Sequence, residues 1–118
     1  MEIGFEVARI LSIAAFAFYG TACLVTKRMV SEFERYGLAR WRRLIGGLEL
    51  SGALGLLAGY LLPQLVVAAS AGLSLLMLAG VITRVRIRDP LVLTTPALAL
   101  LLVNVYVLLY ALSSDPPP

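Results

Sequence analysis

The sequence predicts an all-α membrane protein, a bundle of four transmembrane helices with both termini on the outer, non-cytoplasmic side. Hydrophobic residues make up 60% of the 118 residues and charged residues only 14%, whereas a soluble domain carries about a quarter charged residues. The basic residues also cluster between long apolar runs. We therefore expect one domain, residues 1–118, that crosses the cell inner (cytoplasmic) membrane several times.

Four charge-poor stretches are long enough for transmembrane helices, each of which needs about 20 residues. They are residues 3–26, 44–62, 65–83 and 91–112. The second and third stretches form one apolar run, and Pro63 with Gln64 supplies the turn that must divide it, because a helix usually ends before a proline. Pro96 should bend the fourth helix. A short polar, proline-rich tail follows from residue 113.

The topology follows from the arginine and lysine residues. Nine of the ten basic residues lie in the loop 27–43 and the connector 84–90. Positively charged loops stay in the cytoplasm, so the termini and the Pro63 turn face outward. The acidic residues Glu2, Glu6 and Asp115 lie near those termini. The N-terminus has no basic segment of the kind that opens a signal peptide, so we expect the first span to be retained.

The basic loops are predicted to contact lipid headgroups rather than nucleic acid. The loop 27–43 reads as a short amphipathic segment on the inner membrane surface, and Trp41 stands where an interfacial tryptophan is expected. The basic residues predicted to face lipid are Arg40, Arg42, Arg43, Arg84, Arg86 and Arg88. These charges either only set the topology or form a specific lipid or partner site.

Small residues recur at every fourth position of the second span. They are Gly47, Ser51, Gly55 and Gly59, and the third span carries Ala68, Gly72 and Gly80. Small residues let transmembrane helices approach closely. The pattern predicts that the second and third spans pack against each other here; the alternative is contact between copies of the chain.

Three ionisable residues lie inside predicted spans, where charges are costly and often functional. Arg9 should meet Glu6 one turn away, near the outer face. Counting depth along the helices places further polar groups at the height of Arg9, namely Tyr60, Ser70, Asn104 and Tyr106. Glu6, Arg9, Tyr60, Asn104 and Tyr106 thus form a candidate binding cluster. Glu49 shares its level with Cys23, Thr94 and Thr95.

Each of these buried groups has a structural and a functional interpretation. Glu49 is either a hydrogen bond between helices or a carboxyl that exchanges protons or binds a ligand. Arg9 and Glu6 form either an ion pair that reaches the outer surface or a contact for an anion or a quinone headgroup. Cys23 is interpreted as a small packing residue.

The composition removes several kinds of chemistry. The chain has no histidine and one cysteine. Histidine-ligated metals and histidine-activated nucleophiles are therefore excluded, and the chain cannot run a dithiol–disulfide cycle alone. We expect no catalytic residue, no metal and no resident cofactor, so an enzyme is the less favoured class.

Several segments resemble the DoxX and DoxX-like family of small four-helix membrane proteins. They are Glu34-Arg35-Tyr36-Gly37-Leu38, then Trp41 to Leu44, and Gly47-Leu48-Glu49-Leu50 with Gly52-Ala53. Arg9 and Gly20 match residues that the family places in its first helix. The family commonly has Gly-x-x-Lys at the end of that helix, where this chain has Cys23.

The resemblance and the buried residues together leave three roles open. Some relatives are subunits of quinone-linked sulfur oxidation or of membrane oxidoreductase assemblies, and others act as membrane chaperones. We predict a non-catalytic accessory subunit that binds a partner or stabilises a membrane complex. The alternatives are a quinone-interacting subunit of an oxidoreductase and a small proton-linked transporter that uses Glu49. The expected partners are the lipid bilayer and a larger membrane complex or further copies of the chain.

Overall fold

A computed structural model describes residues 2–113, and these residues form five α-helices without any strand. The helices are α1 (Glu2–Val25), α2 (Lys27–Tyr36), α3 (Arg42–Ala58), α4 (Gln64–Arg86) and α5 (Leu91–Ser113), with a 3-10 turn at Ala39–Trp41. The all-α prediction is confirmed. The predicted tail beyond residue 113, with Asp115, lies outside the described residues.

Three segments are long and apolar enough to cross a membrane: Ile3–Val25, Gln64–Arg86 and Thr94–Ser113. The helix α3 has 17 residues, which at 1.5 Å per residue is about 26 Å. It is shorter than the predicted span 44–62 because its C-terminal end unwinds before Pro63. Length and composition therefore identify three membrane-crossing helices, consistent with a membrane protein.

The four long helices form a bundle around a small apolar core. The helix α1 packs against α3 and α5, and α4 packs against the same two helices. Consequently α3 and α5 stand at opposite corners. Four large side chains at the centre are fully buried, namely Phe16, Leu56, Leu73 and Val107. Many leucines on the outer surface are exposed, as lipid-facing residues are in a membrane-spanning bundle.

The turn between α3 and α4 is longer than the predicted Pro63-Gln64 pair. It takes five residues, 59–63, between Ala58 and Gln64. At Gly59 the helix ends in close contact with α1, since a Cβ atom there would lie 2.9 Å from Nη2 of Arg9. Pro63 therefore precedes α4, a position that suits its missing N–H, and does not end α3.

The segment predicted as an amphipathic loop is a capped helix, α2. At its start, the hydroxyl of Thr26 accepts a hydrogen bond from the Met29 N–H at 3.2 Å. At its end, Gly37 adopts a left-handed conformation with φ of 77°, and the Leu38 N–H donates to the Phe33 carbonyl at 2.9 Å. Phe33 is buried, so this face of α2 anchors the helix to the bundle.

The small-residue stripe is only partly the seam between α3 and α4. Three of its glycines have no heavy atom of a neighbour within 4 Å of a Cβ position: Gly47, Gly72 and Gly80. The seam runs instead over Gly52 and Gly55, where added Cβ atoms would lie 2.6 Å from Cγ of Leu73 and 2.9 Å from Cβ of Ala69. The stripe prediction is therefore correct at Gly55 and wrong at Gly47. The helix α3 is rotated about its own axis so that Gly52 and Gly55 face α4 and Gly47 does not.

The backbones of α1 and α3 touch at Gly20 and Gly46. A Cβ atom on Gly46 would lie 3.1 Å from the carbonyl oxygen of Gly20, and one on Gly20 would lie 3.0 Å from the carbonyl oxygen of Gly46. Any side chain at either position would separate the helices. This close approach places the end of α1, with Cys23, beside Glu49 of α3.

Candidate functional site

The outer cluster is built around the buried guanidinium of Arg9. Its Nε and Nη2 atoms donate hydrogen bonds to the carbonyl oxygen of Leu56 at 3.1 and 2.7 Å. The guanidinium carbon lies 3.6 Å from the centre of the Tyr60 ring, a cation–π contact. Only 5% of the Arg9 surface is exposed, so the bundle encloses this charge almost completely.

The carbonyl of Leu56 is available because the end of α3 tightens. The Gly59 N–H donates to the Gly55 carbonyl at 2.9 Å, and the Tyr60 N–H donates to the Leu57 carbonyl at 3.2 Å. The Leu56 carbonyl between them lacks a partner from its own helix, as carbonyls at helix ends do. Arg9 supplies that partner and puts its positive charge at the negative end of the helix dipole.

Glu6 completes the outer cluster. The hydroxyl of Tyr60 donates to Oε2 of Glu6 at 2.8 Å, and Nη1 of Arg9 lies 3.9 Å from Oε1 of Glu6. The Glu6 side chain is 42% exposed, so this carboxylate forms the outer edge of the cluster. Arg9 is thus held by a carbonyl, an aromatic ring and a carboxylate, all within the chain.

The other two members of the candidate cluster lie elsewhere. The hydroxyl of Ser12 donates to Oδ1 of Asn104 at 3.0 Å, and the Asn104 amide donates to the Leu100 carbonyl at 2.9 Å. The Tyr106 hydroxyl lies against Gly4. Both residues are on α5, whereas Arg9 reaches toward α3. The five residues therefore divide into Glu6–Arg9–Tyr60 and an α1–α5 contact, because depth along the bundle does not determine which corner a side chain faces.

A second buried pair lies near the other end of α1. Sγ of Cys23 donates to Oε1 of Glu49 at 3.7 Å, and the two residues are 1% and 5% exposed. Arg42, at the start of α3, donates to the carbonyl of Cys23 and, at 3.3 Å, to that of Leu24. The pair is therefore enclosed by the junction of α1 and α3.

Thr94 and Thr95 do not hydrogen-bond to Glu49 in the described part of the chain. Their hydroxyls donate to carbonyls of their own segment, Pro90 at 3.5 Å and Leu91 at 2.8 Å. Serine and threonine hydroxyls in helices often donate to a carbonyl of the preceding turn in this way. Because α5 stands diagonally opposite α3, these threonines lie away from Glu49. The group in contact with the Glu49 carboxyl is the thiol of Cys23.

Sequence reasoning missed an ion-pair cluster between α2 and the α4–α5 connector. Asp89 accepts hydrogen bonds from Arg35 and, at 3.0 Å, from Arg84, and Arg35 also pairs with Glu32 at 2.7 Å. The guanidinium of Arg35, followed by that of Arg84, lowers the pKa of Asp89 below its usual value. The only signal in the sequence was one acid among the three arginines of the connector.

A strained residue holds Asp89 in place. Arg88 has φ of 60°, a left-handed conformation that glycine normally takes after a helix. The Asp89 N–H then donates to the Arg84 carbonyl at 2.9 Å. The end of α4 thus turns the Asp89 carboxylate toward Arg35 of α2.

The six basic residues predicted to face lipid have different surroundings. Arg42 turns inward onto α1, and Arg84 is held by Asp89. The Arg40 guanidinium lies 5.0 Å from the centre of the Trp41 ring. The remaining three have no carboxylate within 4 Å in the described residues: Arg43, Arg86 and Arg88.

Three of the buried polar groups of the bundle link α1 to its neighbours. Within residues 2–113, no cluster of three histidine, cysteine, aspartate or glutamate residues could hold a metal ion. The contacts of Arg9, Asn104 and Glu49 each join α1 to another helix.

The fold and these contacts define a small helical membrane protein whose first helix is tied to its neighbours by buried polar groups. The sequence model of the DoxX-like family matches residues 7–107. The chain belongs to the DoxX-like family, which confirms the resemblance carried by the sequence motifs. No curated protein and no solved structure matches the chain.

Proposed function

We propose that this protein is a non-catalytic accessory subunit that holds a transmembrane helix of a partner protein in a groove between α3 and α4. The observation that carries the proposal is the groove itself, which has a volume of about 580 Å³. Small residues dominate its lining: Ser51, Gly52, Gly55, Ala68, Ala69, Gly72 and Ala79.

The shape of the groove suits a helix. On α4 its lining runs from Leu65 to Ala79, which is about 21 Å along the helix axis and most of the hydrocarbon core. Helices associate in lipid by close backbone approach over small residues. Gly72 lines the groove but contacts no neighbouring side chain, so internal packing does not explain it.

The proposal includes four membrane spans with both termini outside. The helix α3 contacts α1 at Gly46 and both Val66 and Arg9 at Gly59, which supports a crossing as deep as that of its neighbours. The ion pair of Arg35 with Asp89 joins the two basic segments at one end of the bundle, and positively charged segments remain in the cytoplasm. The proposal also assigns these spans to the inner membrane.

The test compares Gly72→Leu with Gly80→Leu. Both glycines are on α4 and have open space at the Cβ position, but only Gly72 lines the groove. Each variant is purified from its own cells in gentle detergent, and the co-purifying membrane proteins are quantified by mass spectrometry. We expect both variants to melt like the wild type and only Gly72→Leu to lose a stoichiometric partner.

Equal retention of the partner by both variants would show that the partner does not bind in the groove. A separate arm uses Ser51→Cys in a Cys23→Ser background. Efficient oxidation to a dimer of twice the chain mass would show that a second copy occupies the groove instead of a partner protein.

A further inference from the structure

The basic end of the bundle carries more positive charge than its own acids neutralise. Its three acidic residues are Glu32, Glu34 and Asp89, and the observed ion pairs engage only Arg35 and Arg84. Seven basic residues at this end have no carboxylate within 4 Å in the described part of the chain, and one of them, Arg42, is bound by backbone carbonyls instead. The other six are Lys27, Arg28, Arg40, Arg43, Arg86 and Arg88. This end therefore attracts anions.

A small pocket of about 120 Å³ lies at this end between α2 and α4. Its lining comprises Tyr36 and Leu38 from the end of α2 and Thr83, Arg86 and Ile87 from the end of α4. Arg86 is the one basic residue among them, and it is one of these six. The pocket thus combines a free guanidinium with a hydroxyl-bearing wall.

Three carbonyls near the end of α4 are already paired and do not present bare negative ends to an anion in this pocket. The carbonyls of Thr83, Arg84 and Val85 accept N–H groups from the following turn at 3.1, 2.9 and 3.1 Å. The nearby carboxylate of Asp89 is bound by two guanidinium groups. The negative charge of these three carbonyls and of Asp89 is therefore compensated.

We propose that this pocket binds the headgroup of a phospholipid with a net negative charge, through its phosphate group. A phosphate oxygen is a strong acceptor for an arginine guanidinium. The pocket also has apolar walls, Leu38 and Ile87. Just before Arg86 in the chain, the exposed surface of α4 is apolar, with Ile82 50% and Val85 62% exposed. The pocket can hold an anionic headgroup, and the adjoining apolar surface of α4 can contact an acyl chain. A phospholipid therefore fits this site better than a soluble phosphate does.

The test is native mass spectrometry of the detergent-solubilised, delipidated chain with phosphatidylglycerol or phosphatidylcholine. We expect the wild type to prefer phosphatidylglycerol. Arg86→Gln should reduce this preference roughly fivefold, the effect of one basic residue on binding of an anionic lipid surface. Arg88→Gln is the matched control, because it removes the same charge two residues away and outside the pocket. It should retain most of the preference.

Three outcomes would overturn the proposal. One is a wild type with no preference for phosphatidylglycerol. Another is an equal loss in Arg86→Gln and Arg88→Gln, since this would show that only the overall surface charge acts. The third is selective displacement of phosphatidylglycerol from the wild type by millimolar inorganic phosphate, which would assign the pocket to a soluble phosphate. Thermal melting of both variants checks that the bundle is intact.

Discussion

The guanidinium of Arg9 donates two hydrogen bonds to the carbonyl oxygen of Leu56, which lies 47 positions later in the chain. At the opposite end of the same helix pair, Arg42 of α3 donates to the carbonyls of Cys23 and Leu24. Each helix of the α1–α3 pair thus provides an arginine that caps the C-terminal end of the other. Positive charge at a helix C-terminus is favourable, so the pair is stabilised at both ends.

Arg9→Met should destabilise the bundle. The substitution keeps an apolar stem but leaves the Leu56 carbonyl without a partner, which costs roughly 1–3 kcal/mol. Thermal melting in a mild detergent measures the loss. Glu6→Gln is the control, because it keeps an acceptor for the Tyr60 hydroxyl at an exposed position, and its effect should stay within about 1 kcal/mol. Similar melting of both variants would contradict the capping role of Arg9.

Gly46→Leu and Gly47→Leu should differ sharply although the two residues are adjacent. A side chain on Gly46 meets the backbone of Gly20, and such overpacking costs roughly 1–3 kcal/mol. Gly47 has open space, so leucine there should be neutral or stabilise α3 by up to about 1 kcal/mol through helix propensity. The midpoint of unfolding in detergent distinguishes them. An equally destabilised Gly47→Leu would show that α3 is rotated differently.

Glu49→Gln should preserve folding and the complex if the carboxyl serves as a structural link to Cys23. Glutamine keeps an acceptor for the thiol and removes only the titratable proton. Glu49→Leu should lower the melting temperature, because it leaves the thiol without its acceptor. A Gln variant that folds normally but reproduces the phenotype of a gene deletion would instead favour the proton-linked role.

Asp89→Asn should release α2 from the α4–α5 connector. The variant weakens the contacts to Arg35 and Arg84, so hydrogen exchange of the amides in residues 27–36 should become faster at neutral pH. Glu34→Gln, on an exposed part of α2, is the control and should leave the exchange unchanged.

The same contact has a defined pH dependence. The folded pKa of Asp89 is lowered by Arg35 and Arg84 from an ordinary value of 3.8. Its contribution is therefore fully present above about pH 3.8 and is lost as the pH falls through the lowered folded value. Exchange in α2, corrected for its intrinsic rate, should not respond to pH between neutral and mildly acidic conditions. A release of α2 near pH 6 would contradict this assignment.

Labelling of single cysteines tests the orientation. In a Cys23→Ser background, Gln64→Cys at the start of α4 should react with an impermeant maleimide added to intact cells. Ser31→Cys on α2 should react only after the cells are opened. Labelling of Ser31→Cys alone from outside would reverse the orientation.

Most of the secondary structure could be predicted because hydropathy and charge are local properties of the chain. The apolar runs predicted α1, α4 and α5 to within a few residues of their observed ends. The ends of α3 and α2 were less predictable. Whether α3 stops at Ala58 or at residue 62 depends on the contact of Gly59 with α1, which no local pattern contains.

For the candidate site, the sequence predicted how deep each polar side chain lies in the bundle, but not which neighbouring helix that side chain faces. Counting residues grouped Arg9 with Glu6 and Tyr60 and grouped Glu49 with Cys23, and these side chains are in contact in the structure. It could not separate Asn104, which pairs with Ser12 instead, because all these residues share similar heights in the bundle.

The sequence alone thus determined the class of the protein: a helical membrane protein of the DoxX-like family, with its basic residues gathered in two segments. These properties follow from composition, from the lengths of apolar runs and from motifs read along the chain. Only the tertiary structure decided that Arg9 and Arg42 cap each other's helices, that Gly46 rather than Gly47 meets α1, and that Asp89 binds Arg35. Those contacts depend on the corner that each helix occupies and on its rotation about its own axis, and packing among several helices determines both.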